Sequence, residues 1–85
     1  MSYQISEEIS WRKLGEHTII LDTTGRKQIH HLNEIGSLIW QDMQNSTAPN
    51  EIISHILKSY DVTVEEASQD LNDFFDKLRE LQIIQ

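Results

Sequence analysis

The sequence predicts an α+β domain in which a three-stranded antiparallel sheet is followed by three α-helices. Three observations carry this. The apolar pattern changes once, near Leu32, from strand-like segments to helical spacing. Two short turn signals, Gly15-Glu16 and Thr23-Thr24-Gly25-Arg26, divide the first part. Helix-start chemistry then stands at Asn33, near Thr47 and at Thr63.

Ile9 and Trp11 to Leu14 give a first strand, His17 to Asp22 a second rich in β-branched residues, and Lys27 to Leu32 a third. Short connections force antiparallel neighbours, so the simplest sheet is a meander with the third strand at an edge. Asn33 reads as an N-cap whose side chain accepts from a free N–H of the first turn. Ile35, Leu38, Ile39 and Met43 form the apolar stripe of this first helix, with Trp40 at its edge. The second helix begins near Thr47, tolerates Pro49 in its first turn and runs to about Tyr60. Its buried face is Ile52, Ile53, Ile56, Leu57 and Tyr60. Thr63-Val64-Glu65-Glu66 fits a capping box and opens a third helix reaching roughly Leu81. Ala67, Leu71, Phe74, Leu78 and Leu81 make its core stripe, and Phe75, one position around, is either core or groove wall. This order describes a small domain of winged helix-turn-helix type.

With 85 residues, positions 1–85 form one domain with little room for an elaborate buried active site. Fourteen acidic against seven basic residues give a net charge of −7, which repels phosphate backbones and makes nucleic acid a poor partner. The absence of cysteine excludes disulfides, thiolate metal sites and a cysteine nucleophile, and fits a cytoplasmic location. No apolar run exceeds three residues and the N-terminus lacks a basic start with a hydrophobic core, so neither membrane span nor signal peptide is expected. His17, His30, His31 and His55 lack metal-ligand spacing, and neighbouring His30 and His31 in a strand point to opposite faces. Asp70, Asp73, Asp76 and Glu80 recur as a solvated helix face, with no nucleophile, base and orienting group to make an enzyme. Neither a metal nor another cofactor is expected.

The run Leu32-Asn33-Glu34-Ile35-Gly36-xx-Ile39-Trp40 resembles the PqqD family of peptide-recognition elements, which serve the making of ribosomally synthesised, post-translationally modified peptides. The likeness extends to Trp11, to Ile19-Ile20-Leu21-Asp22 before Gly25, and to Thr47-xxxx-Ile52. It continues through Tyr60-Asp61-Val62 and Glu66-Ala67 to Asp70-xxx-Phe74-xxx-Leu78, covering about residues 9 to 84. Two positions depart from the usual pattern. Ile29, His30 and His31 stand where aromatics are common, and Gln82 stands near an expected glycine.

The resemblance implies a non-catalytic protein that binds the leader of a precursor peptide as an added strand and presents it to a modifying enzyme, such as a radical enzyme, protease or cyclase. By that resemblance Lys27, Gln28, Ile29, His30, His31 and Leu32 supply the edge, while Ser68, Leu71, Asn72, Phe75 and Arg79 line the helical wall. Four or five ladder bonds at about 1 kcal/mol each barely offset roughly 2 to 5 kcal/mol of leader ordering. One or two apolar anchors, received by Phe75 and Ile29, must therefore add on the order of 1.5 to 3 kcal/mol each. Lys27, Lys77 and Arg79 would steer acidic leader residues. Two other classes share the outline: a winged-helix DNA-binding regulator, disfavoured because Lys58 is the sole base of the second helix, and a protein–protein adaptor whose edge pairs with a second copy. The expected state is a monomer or weak homodimer.

Overall fold

The computed structural model describes residues 5–6, 9–22 and 28–84. Its elements are β1 (Ile9–Leu14), β2 (His17–Asp22), β3 (Ile29–Leu32), α1 (Glu34–Gln44), α2 (Pro49–Ser59) and α3 (Val64–Glu80). The strands form one antiparallel sheet in the order β1-β2-β3, so β3 is an edge. The β1–β2 hairpin closes through Gly15 at φ 63°, a left-handed conformation that the two-residue turn demands and glycine adopts without steric cost. The second expected turn, Thr23 to Arg26, and Lys27 lie outside the described residues. β3 starts at Ile29, later than expected. Gln28 before it still ties to β2, its carbonyl accepting from Asp22 N–H at 2.8 Å.

Strand alternation sorts the sheet into two faces. Thr18, Ile20 and Asp22 are buried beneath the helices, and Ile20 pairs with His30 on one side and Trp11 on the other. Trp11 meets Trp40 of α1 edge-on, with ring centroids 6.2 Å apart. Trp40 is therefore fully buried at the centre of the molecule and not at the edge of its stripe, because the sheet covers the flank that helical periodicity alone left open.

Local chemistry sets the helix ends. Asn33 Oδ1 accepts from Gly36 N–H at 2.8 Å, as the cap reading requires. At the other end of α1, Ser46 adopts φ 57° while its N–H donates to Met43 O, and Thr47 N–H donates to Asp42 O, a Schellman closure. Thr47 thus finishes α1, and α2 starts two residues later, with Ala48 as N-cap and Pro49 in the first turn. Asp42 also meets His55 Nδ1 of α2 at 2.7 Å. Thr63 and Glu66 form the complete capping box of α3.

α3 ends as α1 does. Gln82 has φ 62°, its N–H donates to Arg79 O, and Ile83 N–H donates to Leu78 O at 2.8 Å. Gln82 stands near the glycine that the resemblance leads one to expect, and it takes the left-handed backbone that glycine favours. The chain then turns Ile83 and Ile84 into the core, where Ile5 bridges Ile84 and Ser6 N–H donates to Ile83 O.

Candidate functional site

β3 presents an edge, and its inner face does not touch bare helix. Between it and α3 lies a cavity of about 360 Å³, walled by His30 and Leu32 on the strand and by Phe74, Lys77, Leu78 and Leu81 on the helix. Ile20 and Gly36 also line it. A second cavity of about 280 Å³ shares Asn33, Gly36, Phe74 and Lys77 with the first and continues between α1 and α3 to Asp70 and Asp73. The two adjoin across the Phe74 ring and Gly36, which line both.

Gly36 keeps the groove open. A Cβ there would lie 3.3 Å from Phe74 Cε1, 3.3 Å from Asn33 Oδ1 and 3.4 Å from Leu32 Cβ, so any side chain would fill space the groove now has. The Asn33 cap fixes this glycine by holding its N–H, and Ser37 N–H donates to Asn33 O one residue on. The motif that opens α1 therefore also shapes the site.

Of the residues expected on the strand side, Ile29, His30, His31 and Leu32 all line the cavity, and Gln28 is exposed just before it. Ile29 is 69% exposed. His30 Nε2 is buried without a hydrogen-bond partner, and the His31 ring packs on His17 with centroids 5.1 Å apart.

The helical side differs from the expectation. Leu71 and Phe75 are core side chains, 3% and 2% exposed; Ser68 is half-buried; Asn72 and Arg79 are exposed; and none of the five lines either cavity. Arg79 instead lies over the Phe75 ring at 5.9 Å and pairs with Asp76 at 3.4 Å. The wall is built from Phe74, Lys77, Leu78 and Leu81. The physical reason is the phase of α3. Ala67, Leu71 and Leu78 are compatible with either phenylalanine as the fourth core residue, at spacings of three or four. The core takes Phe75, which leaves Phe74 half-buried at the groove. A sequence signal for this exists only in retrospect: Phe74, Lys77 and Leu81 form their own ridge at spacings of three and four.

Near the start of α1, Tyr60 stands by Glu34, His17 and Ile35. Burial, followed by the negative charges of Glu34 and Glu16 and a hydrogen bond to Glu34, pushes its phenol above the ordinary tyrosine value. Among the described residues no three His, Cys, Asp or Glu side chains converge as metal ligands, and no helix is long and apolar enough to cross a membrane.

Comparison with known proteins places this geometry. Nothing among curated proteins matches. Two solved structures share the fold: one described as "TbiB1 in Complex with the TbiA(beta) Leader Peptide", 23% identical, with a TM-score of 0.89 over 96% of this chain and 94% of that one. The other, "Lasso peptide synthetase B1 complexed with the leader peptide", is 20% identical with a TM-score of 0.88 over 98% of this chain and 96% of that one. The family model for coenzyme PQQ synthesis protein D matches residues 17–84, most of the length, and the chain accordingly belongs to the PqqD family.

Proposed function

We propose that this protein is a leader-recognition element: it binds the leader segment of a ribosomally made precursor peptide as a fourth strand beside β3 and presents that precursor to a modifying enzyme. One observation carries the reading, a free strand edge that opens directly onto an apolar cavity of about 360 Å³. The edge offers main-chain groups to any extended peptide, and the cavity selects among peptides by side chain. Membership of the family and the leader-bound state of both similar structures support it.

β3 has four residues, so ladder pairing supplies about four hydrogen bonds at roughly 1 kcal/mol each. Apolar leader side chains seated against Phe74, Leu78 and Leu81 add the rest. Gln28 stands exposed immediately before β3. The role is that of a carrier without chemistry of its own, residues 1–85 acting as one unit in the cytoplasm and raising the local concentration of precursor at the enzyme. A net charge of −7 speaks against a DNA-binding role.

Titration of the isotope-labelled protein with its precursor's leader tests this. The amide resonances of Ile29 to Leu32 are expected to shift and those amides to gain protection from exchange. Unmoved resonances across β3, with leader in excess, would remove the proposal.

A further inference from the structure

The helices cover only one face of the sheet. Register places Leu14, Ile19, Leu21 and Ile29 on the opposite face, Leu21 directly beside Ile29. Leu14 is 50%, Leu21 40% and Ile29 69% exposed, so three of the five large apolar side chains left exposed among the described residues share this surface. A sheet face meant only for water is ordinarily polar, and a contiguous apolar patch marks a place of contact.

Charge on this face runs against the rest of the chain. The protein carries −7 with histidine neutral, yet the one formal charge among the outward residues of the described strands is the cation Arg12; Glu16 stands only at the rim, in the hairpin turn. We infer that this outer face docks the peptide-modifying enzyme, through an enzyme surface that is apolar and edged with carboxylates; the inference rests on the leader-recognition reading. A second copy is the poorer occupant. In a symmetric face-to-face pair Arg12 would meet no carboxylate on the facing strands of the other copy.

Continuity with the groove strengthens the case. β3 belongs to both surfaces: all four of its residues border the cavity, while strand alternation turns the side chains of Ile29 and His31 toward the outer face. An enzyme seated there touches β3 itself, and a leader paired with β3 lies one strand spacing, roughly 4.8 Å, farther along the sheet. Capture of the leader and delivery of the rest of the precursor then occur at adjoining surfaces.

The test uses the full-length protein, its precursor peptide and the purified enzyme that modifies that precursor. Two variants avoid the β3 edge: Arg12→Glu alone, and Arg12→Glu combined with Leu14→Thr and Leu21→Thr. Each is expected to bind the isolated leader as the natural protein does, while the concentration needed for half-maximal modification rises about tenfold or more for the triple variant. Raising the salt concentration should weaken the natural protein's action on the enzyme in the same direction. Modification supported equally by natural and triple-variant protein, with leader binding intact, would overturn the docking surface and leave the leader reading standing. Failure of the natural protein to bind leader at all would overturn that reading and this inference with it.

Discussion

Phe74 and Gly36 face each other where the two cavities join, the ring edge 3.3 Å from the point that a Cβ on the glycine would occupy. The absent side chain leaves space in both cavities that Gly36 lines. Gly36→Val should therefore fill it. Leader affinity is expected to fall about tenfold or more by calorimetry. Because Gly36 is buried and a Cβ there also meets Asn33 Oδ1 at 3.3 Å, a denaturant unfolding curve measured alongside separates closure of the groove from loss of the helix cap.

Neighbouring phenylalanines should behave differently. Phe75 is 2% exposed within the core, so Phe75→Ala is expected to cost about 3 to 5 kcal/mol in denaturant unfolding. Phe74→Ala should cost less stability and more leader affinity. Equal effects of both substitutions on both measurements would contradict the division of α3 into a core side and a groove side.

Lys77 lines the groove, whereas Arg79 is engaged with Phe75 and Asp76. Stopped-flow association with an acidic leader should slow on Lys77→Ala, and the slowing should shrink as salt rises. Arg79→Ala should leave the association rate unchanged.

Both Schellman closures carry a non-glycine residue at positive φ, Ser46 at 57° and Gln82 at 62°. That conformation costs an L-residue roughly 1 to 2 kcal/mol, against about 0.5 to 1 kcal/mol of extra backbone entropy lost by glycine. Ser46→Gly and Gln82→Gly should each stabilise by up to about 1 kcal/mol, a rise of roughly 4 to 8 °C in Tm per kcal/mol for a chain of this size. The sites are in different helix ends, so the two gains should add.

Tyr60 predicts an alkaline effect. Its phenol ionises above the ordinary value of 10.0, first because burial disfavours the anion and then because Glu34 and Glu16 repel it. A raised pKa means that the folded state holds the proton more tightly. The resulting contribution to stability is complete below the ordinary value and is lost as pH rises through the folded one. Ultraviolet titration should place Tyr60 above free tyrosine, and Tyr60→Phe should flatten the fall in stability over that window.

How far the sequence could be read depended on whether a feature is local. The Asn33 cap, the Thr63–Glu66 box and the Gly15-Glu16 turn are each satisfied within a few residues, and each stands where expected. The strand side of the groove followed from connection length and register. Its helical side did not, because α3 has two compatible phases and the choice between them belongs to the assembled core, whose members are distant in sequence. Trp40 went the same way: its burial needs Trp11, brought over by the sheet. Ile83 and Ile84 join the core only because Gln82 reverses the chain.

The brevity of β3 bears on self-association. Long, flat, apolar edges recruit further copies without limit, and natural proteins blunt that hazard by shortening the exposed ribbon. Four residues, two of them histidine, offer too little template for stacking copy upon copy into fibrils, yet enough to register one guest. For the proposed function, an edge this short admits an extended guest while giving further copies little to build on.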